Sequence, residues 1–292
     1  MRISVFADLH YPVLLKDPKE LDSMPWRDAD VLALAGDMVN NFNPDRLATV
    51  FDYFSSFPGE KLFIAGNHEL WTTEGNSEEI YRKELKLLAD TYGFYYLDES
   101  PRILGNVGLV GNMGWYDYSL ALKSFPLPDD LIILEEDNPE DEHSFQETDK
   151  RWEDLGSKDY RKKRMGWKEN GKTLVTVWND RAYVRWPYRD EEFLGRCLTK
   201  IKEDLDAVSK KAEKIVVISH HAPFAGLLSE PQSLAKAFER AFLGSRQMGE
   251  LYLRYPKVKL CISGHIHHEN ELTAGPLKAM SVKKMSLYQT EI

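Results

Sequence analysis

Lys61–Glu69, which reads KLFIAGNHE, places an apolar run directly before a cluster of polar side chains. The apolar half predicts a short buried β-strand, and Gly66 lets the backbone turn sharply where that strand ends. A strand that merely turned would rarely end in Asn67, His68 and Glu69. The stretch therefore predicts a strand that delivers polar side chains to one edge of a sheet.

The same alternation of apolar runs and polar clusters recurs along the chain. Strands are predicted over Ile3–Ala7, Val31–Ala35, Lys61–Ala65, Val107–Gly111, Lys214–Ser219 and Val258–Ser263. Helices are predicted over Pro44–Ser55, Ser77–Tyr92, Glu191–Lys211 and Ser233–Leu243. Because the two patterns are interleaved, the sequence predicts an α/β fold, and such sheets build ligand sites at the carboxyl ends of their strands.

Five polar clusters stand at the ends of predicted strands and contain seven of the eight histidines. They read DLH at 8–10, GDMVN at 36–40, GNHE at 66–69, HHAP at 220–223 and GHIHH at 264–268. Asp, Asn and His are ligands suited to Mn, Fe, Zn, Co or Ni, and the clusters contain no thiolate. Residues spaced i and i+2, such as Asp8 with His10 and His265 with His267, point to the same side of extended backbone, so both members of a pair can reach one metal region.

Composition limits the classes of protein that need be considered. The 292 residues are 42% hydrophobic and 29% charged, as in ordinary globular proteins, and the net charge of −9 argues against a surface built to bind nucleic acid. Cys197 and Cys261 stand far apart, which predicts reduced core thiols. No apolar run is long enough for a membrane span, and Ile3–Ala7 is too short for an export signal. We therefore expect a cytoplasmic protein with no membrane partner.

The strand and helix patterns fade between about Trp115 and Tyr188. This segment contains five of the seven tryptophans, an acidic run at 135–142 and a basic stretch at 158–172. Long segments without clear elements inside a compact domain are usually functional or mobile. We expect a single domain over 1–292 with a cap-like insertion at about 115–188. A solvent-exposed excursion or a dimer contact remains the alternative.

The five clusters, in this order, resemble the motif series of calcineurin-like metallophosphoesterases: D-x-H, G-D-x-x-[DN], G-N-H-[DE], a strand-final His and G-H-x-H. The resemblance covers roughly residues 1–70, 214–224 and 258–268. It implies a four-layer α/β/β/α sandwich with a pair of metal ions at one edge of the paired sheets. It also implies hydrolysis of a small phosphomonoester or phosphodiester by a hydroxide that bridges the two ions.

The resemblance also implies a role for individual residues. It assigns Asp8, His10 and His267 to a first metal ion, Asn67, His220 and His265 to a second, and Asp37 to a bridge between the two. His68 would lie just outside the metals, beside the scissile phosphate, as the catalytic residue. His220 is preferred to His221 as the ligand because it comes first after the predicted strand. His268 receives no role, and the substrate-binding residues are not indicated.

One departure from the family pattern concerns Asn40. In the protein Ser/Thr phosphatase branch this motif ends in Asp followed by Arg-Gly, and that Asp orients the catalytic His. Here Asn40 is followed by Asn41 and Phe42. An Asn can accept a hydrogen bond but lacks the charge that would raise the basicity of His68. The sequence therefore argues against a protein Ser/Thr phosphatase.

Two alternative functions stay open beside a phosphoesterase for small phosphorylated substrates. A nuclease could use the same metal site, with the basic stretch at 158–172 and the nearby tryptophans contacting a nucleic acid strand. The net negative charge argues against it. A non-catalytic, metal-binding scaffold should lack several ligands, and none is missing from the motif series.

Overall fold

The computed structural model describes residues 1–122, 132–136, 145–148, 163–169 and 172–292. Its strands are β1 (Arg2–Phe6), β2 (Val31–Ala35), β3 (Glu60–Ile64), β4 (Tyr95–Tyr96), β5 (Arg102–Leu104), β6 (Val107–Asn112), β7 (Ile132–Glu136), β8 (Phe145–Thr148), β9 (Lys163–Glu169), β10 (Lys172–Val177), β11 (Lys214–Ser219), β12 (Val258–Ser263), β13 (Asn270–Ala274), β14 (Leu277–Ser281) and β15 (Tyr288–Glu291). Its α-helices are α1 (Pro44–Ser55), α2 (Ser77–Glu79), α3 (Leu85–Thr91), α4 (Asp180–Tyr183), α5 (Asp190–Val208), α6 (Leu234–Glu239) and α7 (Arg246–Leu253).

Two mixed sheets form the centre of the fold. One has the strand order β15-β1-β2-β3-β4, with β1 to β4 parallel and β15 antiparallel at the edge. The other has the order β13-β14-β12-β11-β6-β5, with the four inner strands parallel and both edge strands antiparallel. Because parallel strands end at the same edge, the polar clusters that follow β1, β2 and β3 must lie side by side.

The two sheets pack face to face and carry helices on their outer faces. Ile3 and Val5 of β1 share one buried apolar cluster with Ile218 of β11, so this cluster lies between the sheets. Outside the first sheet, Phe54 of α1 packs on Phe6 with ring centroids 5.3 Å apart. Outside the second, α5 contacts both β6 and α7. The expected four-layer α/β/β/α sandwich is confirmed.

The predicted elements differ from the observed ones mainly in the helices. All six predicted strands are present, three of them with the predicted bounds and three shifted by one residue at one or both ends. Helix α1 has the predicted bounds and is capped by the Asn43 side chain, which accepts from the Arg46 amide. The helix predicted over Ser77–Tyr92 is interrupted by a π-helical turn at Ile80–Glu84. Within the described ranges, no helix combines the length and apolarity needed to cross a bilayer.

The segment predicted as a cap contains an antiparallel sheet of its own. Its four strands have the order β10-β9-β7-β8. Trp115, at one predicted boundary, is fully buried and its ring packs edge-on against Trp186. Trp152, His143, most of the acidic run and part of the basic stretch, including Arg161 and Lys162, lie outside the described residues. The single domain and its cap therefore stay predictions.

Candidate metal centre

The predicted ligands converge where parallel strands of both sheets end. Asp8 and His10 follow β1, Asp37 follows β2, Asn67 and His68 follow β3, His220 follows β11, and His265 and His267 follow β12. All are buried except His68 and His267, which are partly exposed. The fold therefore assembles one compact polar centre from segments that are far apart in the sequence.

Two groups of these side chains could each hold a metal ion, and in each group the ligand atoms lie within 4.8 Å of one another. The first group is Asp8, His10, Asp37 and His267, and the second is Asp37, His220 and His265. Asp37 belongs to both groups. Oδ1 of Asn67 lies 3.2 Å from Nε2 of His220, which places this amide oxygen beside the second group. Two candidate groups that share Asp37 are thus present, and the assignment of each residue to an ion stays a prediction.

The hydrogen bonding of Asp37 indicates whether these residues fit a metal ion. Its Oδ1 accepts a hydrogen bond from the backbone amide of His68 at 2.9 Å. Its Oδ2 is buried and makes no hydrogen bond, although Nε2 of His220 is 3.3 Å away and Nε2 of His10 is 3.7 Å away. A buried carboxylate oxygen without a donor is rare in folded proteins. Surrounded by nitrogen and oxygen ligands, it fits a bound metal cation.

In the protein without metal, burial and the charge of Asp37 set the protonation of the buried histidines. Burial lowers the pKa of His10 to about 4 and holds the pKa of His265 well below its ordinary value, so both rings are neutral and can ligate. Burial would also lower the pKa of His220, but the carboxylate of Asp37 outweighs it and raises that pKa to about 10. In the protein alone, a proton on His220 therefore supplies positive charge next to Asp37.

Left-handed backbone aims these side chains at one another. Of the seven non-glycine residues with positive φ in the described part of the chain, five are predicted ligands: Asp8 (56°), His10 (45°), Asp37 (57°), His265 (68°) and His267 (61°). The expectation of extended backbone for the i, i+2 pairs was wrong. Hydrogen bonds between neighbouring loops fix the tight turns, for example from the Asp8 amide to the Gly36 carbonyl at 3.0 Å. Asp and His are among the residues that tolerate this conformation best.

Two glycines are required for the loops to approach so closely. A Cβ at Gly66 would lie 2.2 Å from Oδ1 of Asp37. A Cβ at Gly36, where φ is 85°, would lie 2.5 Å from Nδ1 of His220. Neither position can hold a larger residue without moving a predicted ligand.

The geometry separates the two adjacent histidines that follow β11. Nδ1 of His220 lies 3.0 Å from the carbonyl oxygen of Ala35, which turns its Nε2 toward Asp37. The ring of His221 turns away, with Nδ1 3.2 Å from the carbonyl oxygen of Met113. Burial lowers the pKa of His221 to about 3. His220, and not His221, therefore lies in a ligand group.

His68 is held at the edge of the centre by two contacts. Its Nδ1 lies 2.7 Å from the backbone carbonyl oxygen of Asn40, so this nitrogen carries the proton and donates it. The ring stacks on Trp71 with centroids 3.6 Å apart. Its Nε2 is left 3.8 Å from Oδ2 of Asp37. Because a backbone carbonyl orients the ring, the Asn side chain at position 40 does not disturb it.

A family model described as calcineurin-like phosphoesterase matches residues 1–269. The chain belongs to the calcineurin-like phosphoesterase family. Its members are phosphoesterase hydrolases. At the level of whole sequences, no curated protein matches this chain.

Two solved structures are similar to this calcineurin-like phosphoesterase in fold. A phosphopantetheinyl hydrolase from Mycobacterium tuberculosis is 18% identical with a TM-score of 0.64, and the match covers 97% of this chain and 89% of that one. A dimetal phosphatase from Danio rerio is 16% identical with a TM-score of 0.52, and the match covers 97% of this chain and 87% of that one. At these identities the likeness establishes the fold.

Glu69 lies in the candidate site of this calcineurin-like phosphoesterase, and the sequence assigned it no role. Its carboxylate is fully buried and accepts hydrogen bonds from the backbone amides of Asp37 (2.8 Å), Gly66 (2.7 Å) and Val39 (3.0 Å). Burial, assisted by the charge of Asp37, raises its pKa to about 7. Glu69 thus ties together the loops after β2 and β3. Its place in the GNHE cluster was the available signal.

Asp180 is a second residue that sequence reasoning missed. It is fully buried in α4, and its Oδ1 accepts from Nδ2 of Asn67 at 2.8 Å and from Nε1 of Trp71 at 2.6 Å. Its Oδ2 accepts from Nε1 of Trp178 at 2.7 Å. Because the Asn67 amide nitrogen is engaged here, the amide oxygen faces His220. No pattern could have found Asp180, since it lies where the strand and helix signals fade.

A cavity of about 710 Å³ opens onto the centre. Four predicted ligands line it (Asp37, Asn67, His265 and His267), and so does His68. Its other walls contain the rings of two tryptophans and charged residues from the segment around α6: Trp71, Trp178, Glu230, Lys236, Glu239 and Arg240. Its volume is in the range of small-molecule sites in proteins.

Proposed function

We propose that this calcineurin-like phosphoesterase hydrolyses a small phosphomonoester or phosphodiester with the help of two metal ions. One observation carries the proposal. A buried carboxylate, Asp37, belongs to two adjacent ligand groups and lines a cavity large enough for a small substrate. The net charge of −9 supports a small substrate over nucleic acid, because an acidic surface repels long polyanions.

The residues of the two groups would hold two ions, with Asp37 available to both. Asp8, His10 and His267 would hold one ion, and Asn67, His220 and His265 the other. Bound divalent or transition metal ions make water nucleophilic near neutral pH and stabilise negative charge on phosphoryl oxygens. Nitrogen and oxygen ligands without a thiolate suit Mn, Fe, Zn, Co or Ni.

His68 is proposed as the catalytic residue. The Asn40 carbonyl fixes the proton on Nδ1, so Nε2 is the nitrogen available to the cavity. In the protonated ring, Nε2 can donate a hydrogen bond to a phosphoryl oxygen or a proton to the leaving alkoxide. The stacked Trp71 ring restricts rotation of the imidazole and therefore preserves this orientation.

A comparison of two variants tests the proposal. Asp37→Asn should lose bound metal and activity together, because it removes the shared ligand. His68→Ala should keep both metals while the rate falls about 10²–10³-fold, as expected when one transition-state donor is removed. The measurements are elemental analysis and hydrolysis of p-nitrophenyl phosphate and bis-p-nitrophenyl phosphate with each candidate metal. Asp45→Asn, at an exposed position on α1, is the charge-matched control.

Three results would count against these assignments. Full metal occupancy in Asp37→Asn would show that Asp37 does not bridge the two ions. Metal loss in His68→Ala would make His68 a ligand. If the wild-type protein hydrolysed neither the monoester nor the diester with any of the metals, the proposed function itself would fail.

A further inference from the structure

Arg240 is a buried cation in the wall of the cavity that opens onto the metal centre. It begins the short 3-10 turn Arg240–Phe242 after α6, and only 8% of its surface is exposed. The carbonyl oxygen of Phe242 lies 3.3 Å from Nε2 of His265. The turn that holds Arg240 therefore also contacts a predicted metal ligand.

Among the described residues, Glu230 is the acid whose charge acts on Arg240, but no ion-pair contact joins the two side chains. Nη1 donates to the carbonyl oxygen of Ser229 at 2.9 Å, but the buried Nε has no hydrogen-bond partner. Among the described residues, no acidic side chain forms an ion pair with this guanidinium. Lys236, in the same wall, is instead paired with Glu239 at 2.5 Å. Arg240 thus contributes to the cavity a positive charge that no carboxylate contacts and a buried Nε–H group without an acceptor.

A buried charge without a partner is unfavourable, because the protein interior does not replace its lost hydration. One neutral donor would be enough to hydrogen-bond the Ser229 carbonyl oxygen. The guanidinium offers five N–H groups and a permanent charge, which is more than this contact uses. An anion in the cavity would compensate the charge and accept several of these donors. Arginine is well suited to this because its planar fork matches phosphate and carboxylate groups.

We propose that Arg240 binds a second anionic group of the substrate, a phosphate or a carboxylate, remote from the ester that is hydrolysed. This inference rests on the proposed function, since it assumes that the phosphoester itself lies at the metal centre. Arg240 and the ligands line one cavity of about 710 Å³, which has room for a small molecule carrying both groups. Trp178 lines the same cavity and stacks on Phe242 with ring planes 7° apart, giving a flat apolar surface for the linking atoms.

Three series of synthetic substrates test the inference with the metal-loaded enzyme. Linear diol bisphosphates and ω-carboxyalkyl phosphates of increasing chain length carry the second anion, and alkyl phosphates of the same lengths lack it. Arg240→Gln should lower kcat/KM about 10- to 100-fold on the preferred dianionic series, the loss expected for a hydrogen-bonded charge pair. The alkyl phosphates should be unaffected. The series that loses more identifies the anion as phosphate or carboxylate.

Arg246→Gln is the matched control, because it removes the same charge from an exposed arginine that does not line the cavity. It should leave all three series unchanged. Equal losses on all substrates in Arg240→Gln would show a structural role and overturn the inference. Unchanged kinetics of Arg240→Gln on all three series would also overturn it. A further test uses the wild type alone. If it showed no preference for the dianionic substrates over the alkyl phosphates at any chain length, the inference would also be overturned.

Failure of the proposed function would give a different result. If the wild type hydrolysed no member of any series, the enzyme assignment would fail. Calorimetric titration with the bisphosphates would then decide on Arg240 separately. Weaker binding in Arg240→Gln but not in Arg246→Gln supports the anion site, and equal affinities in all three proteins overturn it.

Discussion

Asp180 controls the orientation of a ligand without being one. Since its carboxylate accepts from Nδ2 of Asn67, it settles which end of that amide faces the second ligand group. The same carboxylate fixes Trp71 and Trp178, which line the cavity. A single buried acid thus positions both a predicted ligand and part of the substrate wall.

Asp180→Asn should therefore weaken metal binding at the second group. An amide cannot accept from all three donors as a carboxylate does, so the Asn67 amide is free to turn. Partners of metal ligands typically contribute about 10- to 100-fold to affinity, and we expect a loss of that size in calorimetric metal titrations. Asp190→Asn is the control, because Asp190 is a buried acid that accepts from Nε1 of Trp115 at 2.8 Å.

The control variant should lose stability but bind metal normally. Equal weakening in both variants would mean that any buried Asp substitution loosens the site, and unchanged affinity in Asp180→Asn would contradict the positioning role.

At the level of elements, the loops after β2 and β3 touch through Gly66. Gly66→Ala should expel metal, because the new Cβ would lie 2.2 Å from Oδ1 of Asp37. We expect a loss of about 1–3 kcal/mol in unfolding free energy from the overpacking. Gly195→Ala, on α5, is the matched control, since nothing lies within 4 Å of its new Cβ. It should stabilise the helix by about 1 kcal/mol.

Denaturant unfolding and elemental analysis of both variants measure these effects. Normal metal content in Gly66→Ala would show that the loops can separate without disturbing Asp37.

The sequence predicted the elements that have a strong local pattern. Each central strand is a short apolar run with a polar cluster at its end, so β11 and β12 were predicted with their observed bounds. The candidate ligands could be predicted because their residue types follow those strands in a fixed order. The i, i+2 spacing could not distinguish extended from left-handed backbone. Asp180 and Arg240 owe their importance to contacts between distant segments, which no local pattern reveals.

At the level of the whole molecule, Asp98 joins the two sheets. Its Oδ2 accepts from the Ala65 amide after β3 at 3.0 Å, and its Oδ1 accepts from the Met113 amide after β6 at 2.7 Å. The hydroxyl of Tyr81 donates to Oδ1 as well, at 2.7 Å. Burial, only partly offset by these donors, raises the pKa of Asp98 to about 6.

This shift predicts a pH dependence of stability. Because the pKa of Asp98 is higher in the folded protein than its ordinary value of 3.8, the folded state binds the proton more tightly. Its contribution to stability is therefore greatest below about pH 4 and is lost as the pH rises through about 6, by roughly 3 kcal/mol. Asp98→Asn cannot titrate. The unfolding free energy of the wild type relative to this variant should fall across that range.

Denaturant unfolding at several pH values measures the difference. Asp52→Asn removes a carboxyl group from an exposed position on α1 and controls for the loss of one acid. A wild-type to Asp98→Asn difference that stayed constant with pH would refute the raised pKa.

At the metal centre, the left-handed backbone sets selection for stability against selection for metal binding. Each non-glycine residue in this conformation lowers the folding stability by roughly 1 kcal/mol relative to a relaxed conformation. Selection for folding alone would favour glycine at His10 and His267, whereas selection for metal binding would keep the candidate ligands there. A chain with glycines at these positions would be more stable but would lack the candidate ligands. The most stable sequence for this fold therefore differs from the sequence that could bind the metals.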